Sequence, residues 1–242
     1  MKIKSLSLLV FVTFISSFTL AVEGPVQLDS GQISGVELDS GVRVFRGIPF
    51  AAPPVGDLRW KAPVPAIPWL GVKAADTFGP TCMQRRARAL MSEDCLYLNV
   101  WTNASTAEAN LPVMVWIHGG GWTSGASSSG TYDGEAFAAN DVILVSVNYR
   151  MSAFGWMAHP ALSAESARGV SGNYGVLDHI AALEWVLENI SGFGGDASNV
   201  TIFGESAGGA SIYALLATPL AEGLFHKAIS ESTWINADNV TD

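Results

Sequence analysis

The chain has 242 residues, 49% of them hydrophobic and 14% charged, which is enough to bury a sizeable core in one domain or two. Acidic residues outnumber basic ones 22 to 13, for a formal charge of −9. That balance argues against nucleic acid and anionic membrane as partners, and leaves open a neutral small molecule that needs no electrostatic steering.

The first 21 residues read as a leader. Lys2 and Lys4 form a basic start, residues 6–20 are mostly apolar, and Thr19-Leu20-Ala21 offers a small-residue cleavage site. This is the pattern of a secretory signal peptide cut near Ala21, which would leave residues 22–242 secreted or periplasmic. An uncleaved N-terminal anchor is the alternative. Cleavage would remove two lysines and no acid, so that 11 basic residues face 22 acidic ones. No later stretch approaches the roughly 20 unbroken apolar residues of a membrane span, so no membrane contact is expected after cleavage.

Beyond the leader, two alternating runs at residues 32–38 and 42–45 flank Asp39-Ser40-Gly41 and predict a β-hairpin. Residues 45–60 form a Pro/Gly-rich loop. Cys82 and Cys95 follow, with Arg85, Arg86 and Arg88 between them and little core-forming sequence. Export permits a disulfide there, which would stabilise by roughly 3 kcal/mol in the chain-entropy model. A metal site is the other reading, but no cluster of His and Cys at ligand spacing completes one.

Residues 96–102 predict a strand, and the β-branched runs at 113–117 and 142–147 predict buried strands. Residues 177–190 predict a helix with Ile180, Leu183, Leu187 and Ile190 on one face. A strand at 200–203, a turn at Ser206 and a helix over 207–217, stopped by Pro219, come next, and residues 228–231 begin another strand. Apolar strands alternating with helices predict an α/β domain, a mostly parallel sheet covered on both faces.

Two motifs carry chemistry. Gly204-Glu205-Ser206-Ala207-Gly208 is a G-x-S-x-G sequence in a strand–turn–helix setting. Such a turn lifts a serine hydroxyl clear of the sheet, where a base can activate it. Glycines flank the serine because side chains there would collide with the neighbouring strand or helix. His118-Gly119-Gly120-Gly121-Trp122, after the run at 113–117, is an oxyanion-loop sequence whose backbone amides can face a developing negative charge.

These motifs, with residues 45–60, 93–100, 116–125, 148–150, 172–178 and 193–209, resemble the N-terminal half of the type-B carboxylesterase/lipase family, which includes the cholinesterases. The resemblance runs from about residue 31 to 232. It implies an α/β-hydrolase fold, C-terminally truncated, and an acyl-enzyme formed on Ser206 from a small-molecule ester. It implies oxyanion amides on Gly120, Gly121 and Ala207, with His118 and Glu205 as supporting residues and Glu205 not the triad acid. It also implies a Cys82–Cys95 disulfide, buried ion pairs Arg59–Glu93 and Arg150–Asp178, and no metal or organic cofactor. Asn103 and Thr233 depart from the family pattern, and neither is expected to touch the chemistry.

The catalytic base is the gap. In α/β-hydrolases the triad follows the order Ser, acid, His. After Ser206 the chain holds one histidine, His226, just before the strand at 228–231. It should lie a strand length, roughly 17–20 Å, from Ser206, where a base must be within about 3 Å. His118, His159 and His179 precede the serine, and Glu231 is an acid candidate without a histidine beside it. The expectation is a nucleophile and oxyanion hole whose acid and His come from a missing C-terminal half. The alternatives are a catalytically silent fragment, or a non-catalytic binding or adhesion relative. Such relatives usually lose the serine or the glycines, and both are intact here.

Overall fold

The computed structural model of the protein describes residues 24–85 and 90–233. The leader expected over residues 1–21 lies outside them. Val26–Leu28 (β1) and Gly31–Ser34 (β2) pair antiparallel. Val36–Glu37 (β3) and Arg43–Pro49 (β4) form the hairpin expected around Asp39-Ser40-Gly41. The expected first arm is not one strand. It breaks at Gly35, and β2 instead joins Val72–Ala74 (β5) in a separate small sheet. A Cβ on Gly35 would lie 2.6 Å from the Val44 carbonyl, so the crossing between sheets needs a bare backbone there. Thr81–Cys82 (β6) and Met91–Ser92 (β7) pair at the neck of a loop closed by a Cys82–Cys95 disulfide.

The remaining strands are Tyr97–Thr102 (β8), Leu111–Ile117 (β9), Ile143–Val147 (β10), Gly195–Glu205 (β11) and Lys227–Glu231 (β12). The helices are Glu135–Ala138 (α1), Ser152–Trp156 (α2), Pro160–Glu165 (α3), Tyr174–Asn189 (α4) and Ala207–Ala217 (α5). The central sheet runs β12-β11-β9-β10-β8-β4-β3. Its first four strands are parallel, and β8, β4 and β3 continue it antiparallel, so the sheet is mixed.

Strand alternation splits the core in two. Val113, Val115 and Ile117 of β9, with Ile143, Val145 and Val147 of β10, enter the larger cluster with Ile180, Leu183 and Val186 of α4 and Ile212 and Leu215 of α5. Trp116, Leu144 and Phe203 point to the other face, against Ala138 and Phe137 of α1. Burial on both faces is why these strands read as continuous apolar runs. On α4 the buried stripe passes through Ile180, Ala182, Leu183 and Val186. Leu187, expected on that face, lies at its margin and is 47% exposed.

Candidate active site

Parallel pairing sets the site. Gly204 of β11 stands beside Ile117 of β9, so the loops that follow both strands leave the same end of the sheet. Between β11 and α5 sits Ser206, at φ 55° and ψ −119°. A non-glycine residue in so sparsely populated a region costs about 1–3 kcal/mol and must be held by its surroundings. The Ser206 N–H donates to the Glu231 carbonyl at 2.9 Å, and the Ser206 carbonyl accepts from the Ala210 N–H at 2.9 Å. The Thr233 hydroxyl also donates to that carbonyl, at 2.8 Å. Thr233 therefore braces the backbone of the elbow without meeting the Ser206 hydroxyl.

The flanking glycines are needed for clearance. A Cβ on Gly208 would lie 2.0 Å from the Ile117 carbonyl, and one on Gly204 would lie 2.7 Å from the backbone of Gly208. Helix, elbow and neighbouring strand pack backbone to backbone. The Ser206 hydroxyl is left with no hydrogen-bond partner among the described residues.

The loop after β9 lies against this serine. A Cβ on Gly119 would be 3.1 Å from the Ser206 Cβ and 2.9 Å from a Glu205 carboxylate oxygen. His118 is fully buried, and its Nδ1 lies 2.8 Å from the Gly119 carbonyl. A carbonyl can only accept, so Nδ1 carries the proton. The Gly119 C=O and the Gly120 N–H share one planar trans peptide and point in opposite directions. Holding the carbonyl therefore aims the Gly120 amide. Burial pushes the His118 pKa down to about 4, so the ring is neutral near pH 7. Tyr149 stacks on it at 4.5 Å, and the Tyr149 hydroxyl donates to the His118 carbonyl at 2.8 Å.

Gly120 and Gly121 continue into an exposed turn with φ 109° and 62°. The Gly120 carbonyl closes it by accepting from the N–H groups of Thr123 and Ser124, both at 3.1 Å. Ala207 is buried at the first position of α5. Amides there lack intrahelical partners and sit at the positive end of the helix dipole. Beside Gly121 an open, mainly apolar hollow of about 470 Å³ is walled by Trp122, Ala153, Trp156 and Met157. Trp122 is anchored by its Nε1–H to the Ser211 hydroxyl at 3.1 Å. Glu205 is half-buried behind the serine. Burial, and next the Glu205 charge, raise the pKa of Tyr132.

No histidine among the described residues hydrogen-bonds to Ser206. His226 sits just before β12, beside the middle of β11, where its N–H donates to the Val200 carbonyl at 2.8 Å and its Nδ1 accepts from the Val200 N–H at 3.2 Å. From Val200 to Ser206 the strand covers about 20 Å. His159 caps α3, accepting from the Ala161 N–H at 3.1 Å. His179 is buried edge-on to Tyr149 at 4.4 Å. Glu231 holds Ser206 through its backbone, and its side chain is exposed.

The two ion pairs form, with unlike burial. Arg150 and Asp178 are 3% and 0% exposed, and the Asp178 carboxylate accepts from the Arg150 backbone N–H, Nε–H and Nη2–H. Arg59 and Glu93, expected to be buried, are 37% and 24% exposed.

A serine on a strand–turn–helix elbow beside a glycine-rich turn, at the parallel end of a sheet packed with helices, defines an α/β-hydrolase. Comparison with known proteins narrows the class. The model described as "Carboxylesterase family" matches residues 23–241, and the chain belongs to that family. It is 50% identical over 209 residues to the fumonisin B1 esterase of Sphingopyxis macrogoltabida, covering 84% of this chain and 38% of that protein. It is 49% identical over 211 residues to the para-nitrobenzyl esterase of Bacillus subtilis, covering 84% and 42%. A solved PNB esterase superposes with a TM-score of 0.80 at 50% identity, over 86% of this chain and 44% of that one. Geobacillus stearothermophilus carboxylesterase EST55 follows at 0.79 and 49%, over 84% and 42%. The chain thus spans about two fifths of the length of these relatives.

Proposed function

We propose that this chain carries the nucleophile and oxyanion hole of a secreted or periplasmic serine carboxylic ester hydrolase. The Ser206 hydroxyl attacks the carbonyl of a small-molecule ester. The amides of Gly120, Gly121 and Ala207 receive the oxyanion, an acyl-enzyme forms as the alcohol leaves, and water releases the acid. The apolar hollow beside Gly121 gives room to one limb of the ester. The observation that carries this reading is the strained turn at Ser206 packed against Gly119. A base is the missing part, and in this reading it comes from sequence of the kind the longer relatives carry.

The test has two arms. In the full-length gene product, a fluorophosphonate probe should label Ser206, and Ser206→Ala should abolish labelling and reduce p-nitrophenyl acetate turnover at least about 10³-fold. Labelling at another residue, with turnover intact in the variant, would sink the assignment. The 242-residue chain alone should show no turnover above background. Turnover by it at ordinary enzyme rates, on the order of 1–10³ s⁻¹, would show that a base is already present.

A further inference from the structure

The glycine turn is held from both sides. Within it, His118 fixes the Gly119 carbonyl. At its far end, the Gln84 side chain pairs with Gly125 like one rung of a ladder. Gln84 Nε2–H donates to the Gly125 carbonyl at 2.8 Å, and the Gly125 N–H donates to Gln84 Oε1 at 3.0 Å. The second Nε2 proton goes to the Cys82 carbonyl at 3.2 Å, so both amide protons are used. Gly125 lies directly against the residues that aim the Gly120 amide. A Cβ on it would stand 2.4 Å from His118 Nδ1 and 2.7 Å from the Gly119 carbonyl oxygen. Behind Gln84, two residues away, is the Cys82–Cys95 disulfide.

We propose that Gln84 is a positioning residue of the oxyanion turn, through which the disulfide-closed loop presses Gly125 onto His118 and keeps the Gly120 amide aimed. This rests on the esterase reading of the site. A second amide strengthens the connection. Asn148 donates to the Cys95 carbonyl at 3.2 Å and accepts from the Ser127 N–H at 2.9 Å, tying the same loop to the chain just past the turn. Without Gln84, Gly125 is free to leave His118, and the Gly119–Gly120 peptide loses its fixed orientation. An oxyanion contact is made in the transition state and not in the ground state, so the loss falls on kcat and spares KM.

In the full-length gene product, Gln84→Met keeps the volume and removes the three hydrogen bonds. It should lower kcat for p-nitrophenyl acetate about 10–100-fold, below the 10²–10³-fold typical of losing a whole donor, with KM within about twofold. In Gln84→Glu the ionised carboxylate cannot donate to Gly125, whereas the protonated acid has one O–H to donate and one oxygen to accept, which restores the Gly125 pair though not the bond to Cys82. Its kcat relative to the parent, measured at each pH, should therefore climb towards one as pH falls. Hydrogen exchange supplies an arm independent of activity. In the 242-residue chain, Gln84→Met and reduction of the disulfide should each raise exchange at Gly125, and reduction should add nothing to the variant. Unchanged exchange at Gly125 in Gln84→Met, or a pH-independent Gln84→Glu ratio, overturns the proposal. Faster exchange in a full-length protein without esterase activity upholds the clamp and overturns the esterase reading instead.

Discussion

His118 and His179 are fully buried on two sides of the Tyr149 ring, and burial pushes their pKa values down to about 4 and about 3. Among the described residues, neither ring nitrogen of His179 has a hydrogen-bond partner, and His118 Nε2 has none. In the unfolded chain both histidines would titrate near the ordinary 6.5. Between that pH and about 4 the unfolded state takes up protons that the folded state refuses. Stability is therefore full above about pH 6.5 and falls as the pH drops through this window. A urea midpoint measured at pH 8 and pH 5 should show the loss. His179→Leu, which removes one of the two groups at similar volume, should retain more of its pH 8 stability at pH 5 than the parent does. An equal loss in both would mean that His179 is not the source. At this scale the sequence reveals residues that stand out among their neighbours in the chain. Gly204, Ser206, Gly208 and the triple glycine declare themselves because they stand together in two short motifs, even where the clash they avoid is distant in sequence, as between Gly208 and the Ile117 carbonyl. Thr233 and Gln84 do not, because their partners lie 27 and 41 residues away and neither side chain is unusual in its own neighbourhood.

Among the elements, α4 is tied to the end of β10 by the Arg150–Asp178 pair, while Arg59 and Glu93 join two surface loops. The pairs look alike in sequence and differ in solvent access. Asp178→Asn leaves a buried guanidinium short of its counter-charge, and should cost about 3–5 kcal/mol in urea unfolding. Arg59→Ala should cost far less, since water screens that pair and can replace it. Comparable losses would mean that burial does not govern these pairs. The strands at 113–117 and 143–147 and the helix after Ser206 were legible because continuous β-branched or small residues leave few other options. The break at Gly35 was not, because alternation continues across it and only contact with the Val44 backbone forces the change of sheet. Leu187 misled because its spacing fits the apolar face, although the packed stripe is centred elsewhere on α4.

For the molecule as a whole, β12 is the outermost strand, and no described strand pairs with its other side. Lys227, Ala228 and Ile229 are exposed, with Ile229 at 44%. A free edge of this kind pairs readily with other chains. The 242-residue chain should associate as its concentration rises, and Ile229→Lys should reduce the light scattered at equal concentration. No change would place the association elsewhere. The strand order also dictates how the two halves of the site meet. β9 is made well before β11, with β10, α1, α2, α3 and α4 synthesised between them, yet the two strands end as neighbours. Ribosomes add roughly 5–20 residues per second, so the glycine turn waits seconds for its serine. Their pairing is parallel and distant in sequence, beyond the reach of any tight hairpin as a nucleus. In this order of synthesis the glycine turn and the serine elbow cannot become neighbours until β11 docks beside β9.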